Sequence, residues 1–423
     1  MLSRLFLPLV LALPLPSLFA SGAPSPALSL DDVLTRVAER HPDLLARRHD
    51  VDASAARIDQ AGTRPDPTVE FTVENALGTG AFRGVRGVEA TLLASQRLER
   101  GGKRERRTEL AARERDAELA ASHVLLAELS AHAVSAYLDA LVAVERSGLA
   151  AENLSLAREM LAAVERLHAE GKAPAAEIPR ARVAVVTAEI EVRRAESDLL
   201  RTRASLAAAW GGPAEEVSTL SGRLRLPADV PSEAELRPGL ATHPQLAWHE
   251  AWITRETAAL ALADTSTTAD LTAAAGLRYA REGSDAGFVA GLSMPLPNRI
   301  RTRSEVRAAQ AGLAAAEQRR RAAELRLQAD LARACRDLAG SSLTVRLLRD
   351  EALPAAERAR EDVRRAHAEG FLPLTDVLES QRAVLALRRD LLDAEAACAT
   401  ALATAESLAD RTYARTRSLL SLP

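Results

Sequence analysis

The sequence predicts a mainly α-helical protein with a small β part, in which one long helical hairpin is built twice. Alanine, leucine, arginine and glutamate dominate the 423 residues, while aromatic residues make up only 3%. This composition is typical of long, closely packed helices. The tetrapeptide His-Ala-Glu-Gly occurs at residues 168–171 and again at 367–370, each time between two long helical stretches. Short segments with a period of two, which is typical of strands, occur in each half of the chain.

Each His-Ala-Glu-Gly sequence is predicted to end one helix and to form the tip of a hairpin. Gly171 and Gly370 can take the left-handed conformation that closes a helix. Pro174 and Pro373 follow them and cannot continue a helix. The helices on both sides are much longer than those of an ordinary globular domain. The chain is therefore predicted to be a duplicated object, with one long hairpin in each half.

The N-terminal stretch has the parts of a secretory signal peptide, Met1–Ala23. Arg4 supplies a positive charge, Leu5–Leu15 an apolar core, and Ser21-Gly-Ala23 a small-residue cleavage site. After it, no apolar run is expected to reach the ~18–20 residues of a membrane-spanning helix. The chain is thus predicted to leave the cytoplasm without an α-helical membrane anchor.

The charge balance and the chemistry-bearing residues argue against several functions. The chain has 55 basic and 58 acidic residues, a formal net charge of −3, and no strong field that would favour nucleic acid. Cys335 and Cys398 lie in alanine-rich helical stretches. They could pair in an exported protein or serve as two small core residues. No nucleophile–base pair, phosphate-binding loop or metal-ligand cluster is evident, so the sequence predicts no enzyme, cofactor or metal site.

The order of elements divides the chain into two repeats joined by a linker. In each repeat a His-Pro pair (His41-Pro42 and His243-Pro244) is predicted to mark a turn before a helix rather than a metal ligand. The predicted segments are a signal peptide at 1–23, a first repeat at 24–210 with strands at 68–93 and a tip at 168–177, a linker at 211–238, a second repeat at 239–410 with strands at 270–295 and a tip at 367–376, and a frayed tail at 411–423.

Alternation places apolar side chains on one face of each strand hairpin. The candidates for a lipid-facing surface are Val69, Phe71, Val73, Leu277, Tyr279 and Phe288. The predicted strands are roughly 9–11 residues long, the length that crosses a bilayer as a tilted strand. Four such strands leave two open edges, which hydrocarbon does not tolerate, so several chains would share one barrel of at least ~8 strands. The alternative is a small soluble β-layer packed on the helices.

Acidic residues follow each tip. Asp376 and Glu379 are one helical turn apart and share one face, and Glu177 has the matching place in the first half. Thr375 or Asp376 is expected to cap the helix that follows the second tip. Acids are also favoured at helix N-termini for local electrostatic reasons. The pattern alone therefore leaves both a local role and a functional role open for these carboxylates.

The whole series of elements resembles the TolC-type outer-membrane efflux proteins over about Leu28–Asp410. The motifs Val73–Gly80 (VENALGTG), Gln96–Arg104 (QRLERGGKR) and Met294–Arg299 (MPLPNR) are similar to the CzcC-like (cobalt–zinc–cadmium) heavy-metal-efflux branch. The resemblance implies a homotrimer whose twelve strands close one β-barrel in outer-membrane lipid, above a periplasmic α-barrel. It also implies docking on a periplasmic adaptor and an inner-membrane pump of the resistance–nodulation–division (RND) type.

By the same resemblance, the tips bind the adaptor and the acids line the closed end of the channel. The tip residues are Gly171, Ala173, Pro174, Gly370, Phe371, Leu372 and Pro373. Asp376 and Glu379 occupy the positions of an acidic constriction, and Glu177 matches a residue of the network that locks it. Leu372 stands where the best-known member has an arginine in that lock, so the closed state is expected to be held differently here.

The sequence therefore predicts the exit duct of a tripartite efflux system for heavy-metal cations, located in the outer membrane. An alternative with the same fold is a channel for multidrug efflux or type I secretion, because a pump-driven channel need not select its cargo. An alternative of another class is a soluble periplasmic coiled-coil adaptor or scaffold.

Overall fold

The structure, a computed structural model, describes residues 27–419 apart from positions 218, 223, 225–229 and 297. The predicted signal peptide lies outside the described residues. Within them the chain is mainly helical, with one four-stranded sheet. The predicted fold class is confirmed.

The helices and strands follow the predicted order in both halves. The first half contains α1 (Leu30–Arg40), α2 (Pro42–Gly62), β1 (Thr68–Glu74), β2 (Glu89–Leu98), α3 (Lys103–Ala169) and α4 (Glu177–Ala208). The second half contains α5 (Glu233–Leu236), α6 (Pro244–Asp264), β3 (Leu271–Ala280), β4 (Asp285–Ser293), α7 (Arg299–Arg346), α8 (Leu353–Ala368), α9 (Leu374–Leu408) and α10 (Arg411–Leu419). The 67 residues of α3 make a rod on the order of 100 Å long.

The four strands form a single antiparallel sheet in the order β1-β2-β3-β4. Pairing of β2 with β3 joins the two halves of the chain. The alternation of residues 84–93 predicts a second strand that starts at Gly84. This start is wrong, because β2 begins at Glu89 and continues to Leu98. Gly84 instead has φ 72° and accepts a hydrogen bond from the Leu77 amide, so it closes the loop between β1 and β2.

The second long helix contains a π-helical segment, Leu347–Ala352, between α7 and α8. Pro354 lies just inside α8. Proline has no N–H to donate and its ring clashes with the carbonyl four residues earlier, and a wider turn relieves both problems. This interruption was not predicted, and α3 in the first half has no counterpart to it.

Three helices begin at residues whose side chains accept hydrogen bonds from the first free amides of the helix. Ser29 forms a capping box with Asp32 at the start of α1. His41 and His243 cap α2 and α6, because Nδ1 of each accepts a hydrogen bond from the amide two residues later, at 3.2 Å in both cases. The prediction that the His-Pro pairs mark turns before helices is confirmed.

The largest core cluster packs α1 against α3 and the end of α4. Val33, Val37 and Trp210 are fully buried there, and the Tyr137 hydroxyl donates to the carbonyls of Leu28 and Ser221. The same cluster includes Tyr413 of α10. The predicted frayed tail is therefore wrong for the described residues, which form a helix.

Two further contacts hold α10 against the rest of the protein. Thr416 is fully buried, and Arg415 bonds Asp31 of α1 at 2.6 Å. The sequence does not signal this helix, because its segment is short and carries three arginines. Its partners lie nearly 400 residues away in the chain, so local patterning could not reveal them.

One prediction about membrane-spanning helices also needs correction. The helix α3 contains an 18-residue stretch that is apolar enough to cross a membrane by length and composition, although none was expected. Its helix carries Ala140, Leu141 and Val142 in the protein core. Core helices pass the same hydropathy test, and 44% of this stretch is buried within the chain.

The two cysteines are not bonded to each other. Cys398 is buried with Leu338 and Val345, whereas Cys335 packs beside a different cluster that includes Leu331. Burial raises the pKa of the Cys335 thiol above its usual range. Of the two possibilities left open by the sequence, the structure selects two small core residues.

Candidate functional site

The two hairpin tips lie side by side at one end of the molecule. Val164 and Ala181 of the first hairpin are buried in one cluster with Leu374 and Val377 of the second. Ile178, at the start of α4, packs against the same cluster. Residues from both repeats therefore form one surface, although they are far apart in the chain.

The tip turns have the geometry that the sequence predicts. Gly171 and Gly370 adopt left-handed conformations with φ of 70° and 84°. Beyond each glycine the chain closes the helix in the same way: the Lys172 amide donates to the Leu167 carbonyl at 2.8 Å, and the Phe371 amide donates to the Ala366 carbonyl at 2.9 Å.

In each tip a histidine side chain bonds to a backbone carbonyl of the turn. This contact was not predicted from the sequence. His168 Nδ1 lies 2.9 Å from the Ala173 carbonyl oxygen, and His367 Nδ1 lies 2.8 Å from that of Leu372. A carbonyl oxygen only accepts, so Nδ1 must carry the proton in both tips. The identity of the two His-Ala-Glu-Gly sequences was the signal that could have found this contact.

The remaining tip residues present a small, partly apolar surface. Phe371 has 78% of its surface exposed, and Pro174 is also exposed. Ala173 and Leu372, whose carbonyls accept the histidine bonds, are half-buried. The structure thus gathers the predicted tip residues at one end, and their role in docking stays a prediction.

The cap predicted for α9 is wrong. Pro373 occupies the N-cap position, and no side chain caps the helix. The Thr375 hydroxyl instead donates to the carboxylate of Asp376 at 3.3 Å. Because the proline ring fixes an extended approach to the helix, α9 begins two or three residues earlier than a cap at Thr375 or Asp376 would give.

The three candidate acids differ in their surroundings. Asp376 is half-buried and Glu379 is exposed, and within the described residues neither forms an ion pair. Glu177 is mostly buried, bonds Arg180 of its own helix at 3.0 Å, and has a buried Oε2 without a partner in the described chain. No bond in the described chain joins Glu177 to the other two acids.

The candidate lipid-facing residues share one face of the sheet. In the strand register, Phe71, Leu92, Leu277 and Phe288 form one row across all four strands. Directly opposed residues in antiparallel strands lie on the same face. The face also carries Val69, Val73, Ala90, Ala94, Ala275, Tyr279, Ala290 and Leu292. Phe71 and Phe288 are 67% and 73% exposed, so the chain itself does not cover this apolar face.

The opposite face of the sheet is polar. Arg278 forms an ion pair with Glu89 at 3.4 Å, and Thr68 shares a hydrogen bond with Ser95 at 2.7 Å. Glu70 and Thr72 lie on this face as well. One apolar face and one polar face are the pattern of a strand between lipid and a water-filled lumen.

Charged residues of the QRLERGGKR motif fix the sheet to the helices. Asp270 is buried and accepts bonds from Arg97 at 2.6 Å, from Lys103 at 2.7 Å and from the Arg100 amide at 3.3 Å. Burial raises the pKa of the Asp270 carboxyl, but these bonds outweigh burial and hold the pKa below its usual range. Gly101 has φ 74° and lies close against Thr268, so a side chain there would collide.

These features have a match among known proteins. A family model described as "Outer membrane efflux protein" matches residues 33–212 and 239–409. The chain belongs to the outer membrane efflux protein family. This outer membrane efflux protein is therefore located in the outer membrane, and its family consists of channels rather than enzymes.

Individual relatives agree with this assignment. The cobalt-zinc-cadmium resistance protein CzcC of Cupriavidus metallidurans is 26% identical over 361 residues, which are 85% of each chain. The nickel-cobalt-cadmium resistance protein NccC of Alcaligenes xylosoxydans xylosoxydans is 28% identical over 75% of this chain and 70% of its own. The solved structure of the outer-membrane channel OprN superposes with a TM-score of 0.75 at 20% identity, covering 90% of this chain and 89% of that one.

Proposed function

We propose that this efflux protein is the exit duct of a tripartite system that exports heavy-metal cations. It would work with a periplasmic adaptor and an inner-membrane RND pump. The observation that carries the proposal is the four-stranded sheet, which has one exposed apolar face and two unpaired edges, β1 and β4. The long helices connect this sheet to the two packed tips.

The open edges support a homotrimer. In hydrocarbon, the free N–H and C=O groups of β1 and β4 need partners. Three copies with four strands each supply twelve strands, enough to close a membrane barrel. In that barrel Val69, Phe71, Val73, Leu277, Tyr279 and Phe288 would face lipid, while Glu89 and Arg278 would face the lumen.

The tips support docking at the opposite end. Gly171 and Gly370 shape two similar turns, and the exposed Phe371 offers apolar area to a partner. The half-buried Asp376 and the exposed Glu379, both without an ion pair in the described chain, would form an acidic ring around a threefold axis. Such rings favour cations in pores. Glu177, with its unpartnered oxygen, would accept a hydrogen bond from a neighbouring copy or from the adaptor.

The cargo assignment rests on the relatives and on this acidic mouth. Two relatives are named for resistance to cobalt, zinc, nickel and cadmium. A channel for multidrug efflux or type I secretion would have the same fold, but no feature of this chain favours it. The soluble scaffold has no explanation for the exposed apolar row that includes Phe71 and Phe288.

Growth of a deletion strain tests the function. Restoring the gene should raise the tolerated concentrations of cobalt, zinc or cadmium and leave tolerance to drugs and detergents unchanged. Recovery of drug tolerance alone would overturn the metal assignment while leaving the channel intact. Recovery of the protein from the soluble periplasmic fraction would overturn the channel itself.

A further inference from the structure

The apolar face of the sheet ends in a mixed apolar and basic border on its helical side. Leu98 lies in the last row that pairs β2 with β3, and Met294 follows the last residue of β4. Both extend the apolar face toward the helices and are about half exposed. Leu296 and Ile300 follow in the chain and are 86% and 79% exposed. Together with the apolar face of the sheet they form contiguous exposed apolar surface, which typically marks a site of interaction with a membrane or a partner.

Arginines stand among these apolar residues. The Arg100 guanidinium lies 3.8 Å from the Met294 sulfur. Arg299 and Arg303 are exposed, are one helical turn apart at the start of α7, and form no ion pair in the described part of the chain. We call Arg100, Met294, Leu296, Arg299, Ile300 and Arg303 the periplasmic rim.

Nearby carboxylates do not neutralise the rim. Asp270 is occupied by Arg97 and Lys103, and Glu305 bonds Arg301 at 3.0 Å. Glu99 is bonded to Arg107 at 2.5 Å. The rim therefore keeps a net positive charge directly beside exposed apolar surface.

We propose that the periplasmic rim binds the headgroups of anionic glycerophospholipids in the inner leaflet of the outer membrane. Leu296 and Ile300 would contact the upper acyl chains, while the guanidinium groups of Arg299 and Arg303 bind phosphate. Arginine suits this role because its planar fork matches phosphate oxygens. The inference goes beyond the proposed function and holds for any cargo.

Distances along α7 limit the site to its first turns. The headgroup layer is roughly 5–7 Å thick on each side of the hydrocarbon. With a rise of 1.5 Å per residue, Arg303 lies roughly 6 Å below Arg299, and Arg307 roughly 12 Å below it. Arg307 has the same stripe position and is also exposed, but it would lie beneath the headgroups. It provides a matched control.

Continuity with the lipid-facing sheet favours a lipid over a protein partner. The rim is reached from Leu292 of the apolar face through Met294 without leaving the same side of β4. A protein ligand would have to occupy the place where that face meets the membrane border. Phosphate in solution would satisfy the arginines but would leave Leu296 and Ile300 uncovered.

The test is native mass spectrometry of the purified full-length mature protein in detergent, titrated with palmitoyl-oleoyl phosphatidylglycerol or phosphatidylcholine. The wild type should retain phosphatidylglycerol preferentially. Arg299→Gln with Arg303→Gln should weaken phosphatidylglycerol binding roughly 10- to 30-fold, because each arginine near an anionic surface strengthens binding about 3- to 5-fold. Arg307→Gln should stay within about twofold of the wild type.

Two control experiments distinguish loss of charge from loss of folding, and lipid binding from phosphate binding. The Arg299→Lys, Arg303→Lys variant keeps the charge and should retain most of the preference, which separates lost charge from lost folding. Millimolar inorganic phosphate should not displace the lipid. Equal binding by wild type and the double glutamine variant, an equal loss in Arg307→Gln, or displacement by free phosphate would each overturn the proposal.

Discussion

At the residue scale, a substitution of a tip glycine tests backbone strain without a change in side-chain packing. Gly370 has φ 84°, and a Cβ added there would meet nothing within 4 Å. A substitution therefore acts only through the left-handed backbone, at a cost of about 1–2 kcal/mol. We expect Gly370→Ala to open the tip and to speed hydrogen exchange of the Phe371 amide roughly 5- to 30-fold.

Gly340 provides the control, because it lies in the interior of α7, also with open space around it, and has an ordinary helical φ. Gly340→Ala should leave exchange at the tip unchanged and should slightly stabilise its helix, by about 0.5–1 kcal/mol. Equal exchange of the Phe371 amide in wild type and Gly370→Ala would show that the tip does not depend on the left-handed turn.

The acidic residues after the second tip lead to a prediction about ion conduction. Asp376 and Glu379 carry unpaired charges within the described chain, so their repetition in a trimer would concentrate cations at the mouth. Asp376→Asn with Glu379→Gln should lower cation preference and block by trivalent cations in single-channel recordings. The control is Asp362→Asn in α8, which removes a charge already paired with Arg365. Unchanged selectivity in the double variant would mean that these acids lie outside the constriction.

The titration of the His243 side chain should contribute to the pH dependence of stability. Its Nδ1 caps α6, and burial lowers the pKa of His243 below its usual value. The unfolded chain then binds a proton more readily than the folded chain, so stability is lost as pH falls below ~6.5.

Asparagine at this position keeps a cap and does not titrate. His243→Asn should match the wild type within about 1 kcal/mol at pH 7.5. It should lose less stability between pH 7 and pH 5, as measured by urea unfolding. His123 and His249 titrate in both proteins, so the difference isolates His243. Parallel pH profiles would contradict the linkage.

At the element scale, the two faces of β1 should respond oppositely to charge. Phe71 lies on the apolar face, and its neighbour Thr72 lies on the polar one. Phe71→Arg should destabilise the membrane-inserted protein by about 2–4 kcal/mol, the cost of arginine on a lipid face near the bilayer midplane. Thr72→Arg should cost much less. Urea unfolding from phospholipid vesicles measures both, and equal effects would mean that the sheet is not placed between lipid and lumen.

Elements with local chemistry were predictable from the sequence. The left-handed glycines of the tips and the turns at the His-Pro pairs depend on residues within one turn, and the structure confirms them. The apolar face of each hairpin followed from alternation, because a strand has a period of two. The motif QRLERGGKR was noticed, but its role around Asp270 needed the pairing of β2 with β3.

Features that depend on distant partners were not predictable. The burial of α10 arises from α1, at the other end of the chain. The true start of β2 depends on the loop bond from Leu77 to Gly84. The histidine bonds to Ala173 and Leu372 could have been inferred only by taking the repeated tetrapeptide as a structural unit.

At the scale of the whole molecule, duplication explains the architecture. Each repeat supplies half of the sheet and one tip, and packing joins the tips through Val164 and Val377. Ion pairs across the repeats hold the shafts together, including Arg146 with Asp393 at 2.6 Å and Arg388 with Glu152 at 2.8 Å. What a single chain cannot supply is a partner for the edges β1 and β4.

Disulfide cross-linking between the two edge strands tests this central claim most directly. In a background with Cys335→Ala and Cys398→Ala, a cysteine at Phe288 in β4 is combined in turn with one at Val69, Phe71 or Val73 in β1, which samples the stagger between neighbouring copies. We predict that oxidation in intact outer membranes gives monomer, dimer and trimer, and that the ladder ends at three. A ladder that continues past three, or no cross-link for any pair, would contradict the closed trimeric channel.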